Sequence, residues 1–331
     1  MGKITVNNIE ALNNSLKLNM EKNPDILLWG EDSGFEGGVF RATEGLQKLF
    51  GEERVFDTPI AEAAIAGIGV GAAMAGLKPI IEIQFEGFSF LSMQQIFCHA
   101  ARMRNRSRGR WTVPMVVRMP FGGGVKALEH HSEALEAIYA HIPGIKVVIP
   151  STPYDTKGLM TAAINDPDTV IFFEPKRIYR SFKQEIPEEL YEVQIGKANV
   201  MFEGNDLTIV TYGPQVHDCL EAISKIKQTH PNVSIELIDL RTIKPMDVKT
   251  IIKSVKKTGK ILVVNEAVKS HSVSAEIIAL VNELAFYNLK AAPARVTGWD
   301  VTVPWAQGEK YFIVTPDQII EKALELINTK E

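Results

Sequence analysis

Short apolar runs alternate with longer stretches in which apolar positions recur every three to four residues, from one end of the chain to the other. Ile26-Leu27-Leu28-Trp29, Lys78 to Ile83, Met115 to Arg118, Lys146 to Ile149 and Thr169 to Phe173 read as buried strands. Helices fit between them at roughly residues 6–20, 59–76, 88–105, 132–140 and 153–165. Thr152 suits the cap of the last, with Pro153 in its first turn, where a missing N–H costs little. Regular alternation of this kind implies an α/β fold with mainly parallel sheet.

The pattern breaks at Lys183-Gln184-Glu185-Ile186-Pro187-Glu188-Glu189-Leu190, a polar stretch with a proline and no period. A second α/β series follows, with strands at Leu207 to Thr211, Val233 to Leu240 and Ile261 to Val264. Its helices fall near 215–228, 247–257, 272–286 and 316–328. The expected organisation is a first domain over residues 1–185, a linker at 186–199 and a second domain over 200–331. No internal repeat or low-complexity tract interrupts it.

Composition narrows the function classes. Apolar residues make up 45% and charged residues 23%, as in ordinary globular proteins. A net charge of -4 gives no electrostatic reason to bind nucleic acid or an anionic membrane. Only Cys98 and Cys219 are present, too few for a disulfide framework or a zinc site, so a reducing compartment is expected. The first residues lack the apolar centre of a signal peptide, and the uncharged run Ala63 to Leu77 is too short and too glycine-rich for a membrane span. A cytoplasmic protein is the expectation.

The chemistry concentrates at Asp57-Thr58-Pro59-Ile60-Ala61-Glu62 and the small apolar helix that follows. Its surface is too bare to face water, so something large should cover it and enclose Glu62. Burial of that kind disfavours the charged form of a carboxylate and suits it to sharing a proton with a ligand. The plainer reading is a first-turn acid that complements the helix dipole, with Thr58 as cap and Pro59 as the first helical residue. Gly67-Ile68-Gly69-Val70-Gly71-Ala72 resembles a dinucleotide fingerprint, but a Rossmann loop should directly follow a strand, and these glycines fall inside the helix. Spacing by four places Gly67, Gly71 and Ala75 on one face, open to close approach by another helix.

With these residues in hand, the chain resembles the β subunit of the thiamine-diphosphate-dependent decarboxylase component of 2-oxo acid dehydrogenase complexes. Gly30-Glu31-Asp32, Gly37-Gly38-Val39-Phe40-Arg41-Ala42-Thr43-Glu44-Gly45-Leu46, Asp57 to Glu62 and Glu82-Ile83-Gln84-Phe85 carry the likeness. His131-Ser132, His141-Ile142-Pro143-Gly144, Lys146 to Pro150 and Ile238-Asp239-Leu240-Arg241-Thr242 extend it, in order, from about residue 4 to 328. The fold implied is a pyrimidine-binding, thiamine-diphosphate-type domain followed by a smaller transketolase-C-terminal-like α/β domain. The assembly implied is an α2β2 heterotetramer with a second β subunit, the cofactor lying at each α–β seam. An α subunit would supply the grip on diphosphate and magnesium. The residues agree with that division, for neither the Gly-Asp-Gly that opens the diphosphate motif nor a phosphate loop occurs in this chain.

The resemblance also implies roles. Glu62 would hydrogen-bond the aminopyrimidine and promote the imino form that removes the thiazolium proton. Phe88 would pack on that ring, although among Phe85 and Phe90 its local reading is core. His131 would assist proton transfer during reductive acylation of the lipoyl group; a loop histidine is the alternative, and His130 is given no role. Gly122-Gly123-Gly124 should form a flexible or tight loop bordering the site. Met115, Ala163, Ile164, Asp166 and Asp168 match a structural potassium site built mainly from backbone carbonyls, against the plain reading of a helix C-terminal turn. Arg102, Arg104, Arg106, Arg108 and Arg110 read as surface or interface.

Among 2-oxo acids, the motifs favour pyruvate slightly over branched-chain substrates. The C-terminal domain should face the dihydrolipoyl acyltransferase core, with its lipoyl and subunit-binding domains. Competing readings are a stand-alone transketolase-like enzyme, an NAD-binding protein built on the glycine run, or a non-catalytic scaffold.

Overall fold

The computed structural model describes residues 2–329, so the expected outer bounds at 1 and 331 lie outside the described residues. Strand β1 (Lys3–Val6) leads into α1 (Asn8–Lys22). A capping box starts α1: the Glu10 N–H donates to Asn7 Oδ1 at 3.0 Å, and the Asn7 N–H donates to Glu10 Oε2 at 2.9 Å. There follow β2 (Ile26–Gly30), α2 (Leu46–Phe50), β3 (Val55–Asp57), α3 (Glu62–Met74) and β4 (Lys78–Glu82). An irregular segment ends in the single turn α4 (Met103–Arg106), before β5 (Val116–Phe121), α5 (Glu136–His141), β6 (Lys146–Val148), α6 (Pro153–Asn165) and β7 (Val170–Pro175). Next come β8 (Gln184–Pro187), β9 (Asn199–Phe202), β10 (Leu207–Thr211), α7 (Gln215–Thr229), β11 (Ile235–Asp239) and β12 (Thr242–Lys244). The chain closes with α8 (Val248–Thr258), β13 (Ile261–Val268), α9 (Val273–Ala285), β14 (Ala294–Gly298) and α10 (Pro316–Asn328).

Seven strands form the first sheet in the order β12-β6-β7-β5-β4-β2-β3, parallel except where β12 meets β6. Register sets Gly30 beside Glu82 and Glu82 beside Arg118, so the carboxyl ends of β2, β4 and β5 bring charged side chains together. The second sheet runs β14-β13-β10-β11-β9, antiparallel only at β9. One continuous core joins the lobes, from Trp29, Ile81, Phe121 and Phe173 to Tyr212, Ile238, Leu240 and Val263. Across it the buried Tyr212 hydroxyl donates to Glu136 Oε1 at 2.6 Å.

Several elements differ from the sequence expectation. Helix α3 begins at Glu62 rather than Pro59; Ala61 adopts φ -156 and ψ 68, and no side chain caps the end. Ala61 ends the lead-in because its carbonyl accepts the N–H groups of both Ala64 and Ile65, at 2.8 and 2.9 Å. The expected helix at 88–105 is instead a 3-10 turn (Glu86–Leu91), a π turn (Gln95–His99), a second 3-10 turn (Ala100–Arg102) and α4. Ser92 Oγ donates to the Ser89 carbonyl at 2.7 Å, the local competition that makes serine a poor helix interior. The expected helix at 132–140 keeps only α5, preceded by a turn at Glu129–His131. The aperiodic stretch at 183–190 holds β8, which pairs antiparallel with β1. Strands β9, β12 and β14 escaped the periodicity reading, and β12 crosses from the second series to edge the first sheet.

Candidate functional site

Loops leaving the carboxyl ends of β2, β3, β4 and β5 converge on one edge of the first sheet, the edge where open α/β sheets bind ligands. Glu62, first residue of α3, lies there with only 7% of its surface exposed. Glu31, one residue past β2, is buried beside it, and its Oε1 has no hydrogen-bond partner among the described residues. Burial pushes the Glu31 carboxyl up to about 7, helped by the charges of Glu62, Asp32 and Glu82. Gln84 Nε2 donates to Asp32 Oδ2 at 2.8 Å and ties the loops after β2 and β4 together.

Beneath these acids sits a guanidinium with no exposed surface. Arg118 Nη1 donates to Glu82 Oε2 at 2.7 Å, and its Nε and Nη2 donate to Glu174 at 2.6 and 3.1 Å. The Tyr179 hydroxyl donates to Glu174 Oε2 at 2.6 Å. One cation thus serves two carboxylates, and burial still holds Glu82 at about 7 against the pull of Arg118. Gly38, at φ 80, lets the backbone pass close to this group; a Cβ there would lie 3.4 Å from Glu82 Oε1.

An aromatic cluster forms the next wall. The His131 ring stands edge-on to Phe85 at 4.4 Å and to Phe88 at 5.1 Å between centroids. Phe88 is half-buried, and His131 Nδ1 is buried without a partner among the described residues. Burial lowers the His131 pKa, and the nearby Lys176 charge lowers it further. His130 points outward, with Nδ1 3.6 Å from Glu133 Oε2. Around the opening, Phe35, Val39, Ile60, Val125 and Leu128 are exposed apolar residues. Helix α3 exposes Ile68 and Met74 as well, so among the described residues nothing covers its outer face.

The glycine run lies within α3, which excludes a Rossmann loop. Close approach occurs at Gly69, where a Cβ would fall 2.6 Å from Met115 Sδ; Gly71 meets open space. Met115, Ala163, Ile164, Asp166 and Asp168 do come together, but at the amino ends of the strands, opposite Glu62. Their oxygens are already engaged. The Met115 carbonyl accepts the Val170 N–H at 2.9 Å, that of Ala163 accepts the Asp166 N–H at 3.3 Å, and that of Ile164 accepts Lys78 Nζ at 2.8 Å. Asp166 pairs with Lys146, and Asp168 takes Arg104 Nε at 2.8 and 3.1 Å. Arg102, Arg106, Arg108 and Arg110 face solvent. No group of three His, Cys, Asp or Glu residues suited to a metal ion occurs among the described residues.

Sequence reasoning singled out Glu62, Phe88 and His131, and the structure brings all three to one edge. It gave no separate role to Glu31, Glu82, Arg118 or Lys176. Glu31 had a readable signal, an acid directly after a strand of an α/β series. Arg118 and Glu174 had none, since each reads as a lone charge inside an apolar run.

Comparison with known proteins agrees with this architecture. Residues 5–181 match the transketolase pyrimidine binding domain family, and residues 196–319 match the transketolase C-terminal domain family. A split gene transketolase solved as an inactive β4 tetramer superposes with a TM-score of 0.79 at 17% identity, over 98% of this chain and 100% of that one. At that identity the likeness speaks to fold alone. The pyruvate dehydrogenase E1 component subunit beta of Mycoplasma genitalium is 60% identical over 329 residues, covering 99% of this chain and 100% of that protein. Its counterpart from Bacillus subtilis is 47% identical over 319 residues, covering 96% and 98%. Identity at this level along nearly the whole length, on a pyrimidine-binding fold with its acids at the sheet edge, shows that the chain belongs to the family of pyruvate dehydrogenase E1 component beta subunits.

Proposed function

We propose that this chain, paired with an α chain, decarboxylates pyruvate on thiamine diphosphate and passes the acyl group to the lipoyl group of a dihydrolipoyl acyltransferase. The observation that carries this reading is the buried Glu62 beside the unpartnered Glu31, opening onto an exposed apolar rim. A buried acid pair open on one side is half of a site. The names of the relatives favour pyruvate over branched-chain acids. The proposed division places the pyrimidine lobe at 1–185 and the second lobe at 200–331.

The residues present suit an aminopyrimidine: an acid for a ring nitrogen, a half-buried aromatic face at Phe88, and an imidazole nitrogen left unpartnered at His131. Thiamine diphosphate, when bound, supplies the carbon nucleophile that attacks the 2-oxo acid. Glu62 holds a proton at the pyrimidine ring nitrogen, while Glu31, held near neutrality, keeps one charge rather than two beside it. Phe88 fixes the ring plane. His131, neutral at neutral pH because its pKa is lowered, accepts a proton on one ring nitrogen and gives one up during transfer to the lipoyl group.

Magnesium is assigned to the α chain with the diphosphate. The potassium residues do not suit an ion, because Lys78, Lys146 and Arg104 already occupy oxygens of Ile164, Asp166 and Asp168, and no step depends on one. The open face of α3, with Gly71 unobstructed, suits the second β subunit of an α2β2 assembly. We place the protein in the cytoplasm, where two unpaired cysteines stay reduced. The test is co-expression with an α chain that carries a Gly-Asp-Gly motif, followed by a substrate panel of pyruvate and branched-chain 2-oxo acids. Turnover of pyruvate by the pair but not by this chain alone is expected; turnover by this chain alone would overturn the half-site reading.

A further inference from the structure

The loop from Gly122 to Glu133 carries His131 and is closed at its base by the Gly122 N–H donating to the Glu133 carbonyl at 3.0 Å. Its outer limb is held by the other lobe. Glu266 at the end of β13 accepts the Gly123 N–H, and its second oxygen takes Gln215 Nε2 at 2.9 Å. Glu309, in the 3-10 turn Ala306–Tyr311, accepts the Gly124 N–H at 2.7 Å on Oε1 and the Lys126 N–H at 2.8 Å on Oε2. Both carboxylates are buried. The loop is shaped to receive them: Gly122, Gly124 and Lys126 all take positive φ, turning successive N–H groups inward. A Cβ at Gly123 would lie 2.6 Å from Glu309 Oε1, so a side chain there displaces the carboxylate.

Two buried acids need a counter-charge. Lys176, just past β7, is 4% exposed, and its Nζ has no hydrogen-bond partner among the described residues. The ammonium lies in the fields of Glu86, Glu266 and Glu309 and stands 5.5 Å from the Phe85 ring centroid. Phe85 in turn packs edge-on against His131. The lysine therefore sits between the carboxylates of the second lobe and the aromatic wall that holds the histidine.

We propose that Glu266 and Glu309, with Lys176 between the lobes, are positioning residues that clamp the Gly122–Glu133 loop and so fix His131 for acyl transfer. The proposal rests on the reading of His131 above. It also gives the second lobe a physical route to the site: any shift of β13 or the 306–311 turn pulls on the loop that bears the histidine.

Glu309→Gln tests it, because an amide oxygen can accept one of the two N–H groups and the NH2 must face the other. Hydrogen exchange on the full chain should show the 122–131 segment exchanging at least about 10-fold faster, with β5 unchanged. In the assembled α–β enzyme, lipoyl acylation should fall at least about 10-fold more than decarboxylation read with an artificial electron acceptor, with KM for pyruvate held. Gly123→Ala approaches the same contact from the loop side and should reproduce both effects. Unchanged exchange in both variants overturns the clamp; faster exchange with an unaltered transfer-to-decarboxylation ratio overturns its role in positioning. Glu62→Gln, assayed alongside, reports separately on the underlying function, and the exchange measurement stands whatever that result.

Discussion

In the second lobe, Thr208 Oγ1 lies 2.6 Å from Ser254 Oγ and 2.8 Å from Thr258 Oγ1, and these buried hydroxyls satisfy one another. At the carboxyl edge of the first sheet, Glu31, Glu86, Ser132 and His131 each keep a buried polar atom with no partner among the described residues. Both regions belong to mainly parallel α/β sheets with apolar cores. The hydroxyl cluster is closed on itself, although Thr211, Gln215, Arg241 and Asn265 elsewhere in that lobe each keep a buried polar atom unpaired among the described residues. The sheet edge leaves acceptors and donors unpaired at a cost of about 1–3 kcal/mol each, which is sustained where a ligand or partner completes the set. Their clustering at the sheet edge beside Glu62 distinguishes the candidate site.

The sharpest way to break this contrast is Glu62→Gln, which keeps volume and burial. Pyruvate decarboxylation by the assembled enzyme should fall about 10²–10⁴-fold with circular dichroism unchanged; near-normal turnover would remove Glu62 from the chemistry. Arg118→Met strips the cation from Glu82 and Glu174 and should cost about 3–5 kcal/mol in denaturant unfolding, since breaking a buried pair strands its partners. A loss under about 1 kcal/mol would show that the triad is dispensable to folding.

Glu31 sharpens the comparison through pH. Its carboxyl is raised from 4.5 to about 7, so between those values the folded state binds more protons than the unfolded, and stability contributed by this group falls as pH rises. Relative to the native chain, Glu31→Gln should therefore gain melting temperature on going from pH 5 to pH 8; a constant difference across that range would refute the shift. The smallest effect belongs to the closed region. Thr315 caps α10 in a capping box with Gln318, and Thr315→Ala should cost about 0.5–2 kcal/mol with turnover unaffected. A change in activity there would blur the line between the two regions.

Much of the fold was legible along the chain. The alternation of strand and helix in both lobes, the cap at Thr152 and the closing helix at 316–328 all sit where periodicity put them. The candidate roles of Glu62, Phe88 and His131 rest on motif order, for their local patterns read as dipole, core and loop. The failures have different causes. Residues 88–105 have a helical composition, yet Ser92 Oγ engages the Ser89 carbonyl and the segment winds through 3-10 and π turns. Strand β8 has no period because pairing with the distant β1, and not a buried face, makes it a strand.

Side-chain period and composition are local properties, so the sequence alone determined the class of fold and the stretch that holds the acid. Pairings over long separations are not local: Arg118 reaches Glu82 and Glu174 only once β4, β5 and β7 lie in register. The same holds for Glu266 and Glu309, which meet the glycine loop from more than a hundred residues away. Tertiary structure decided these contacts, because a buried charge finds its partner through sheet register and lobe docking, and neither is written in any window of the chain.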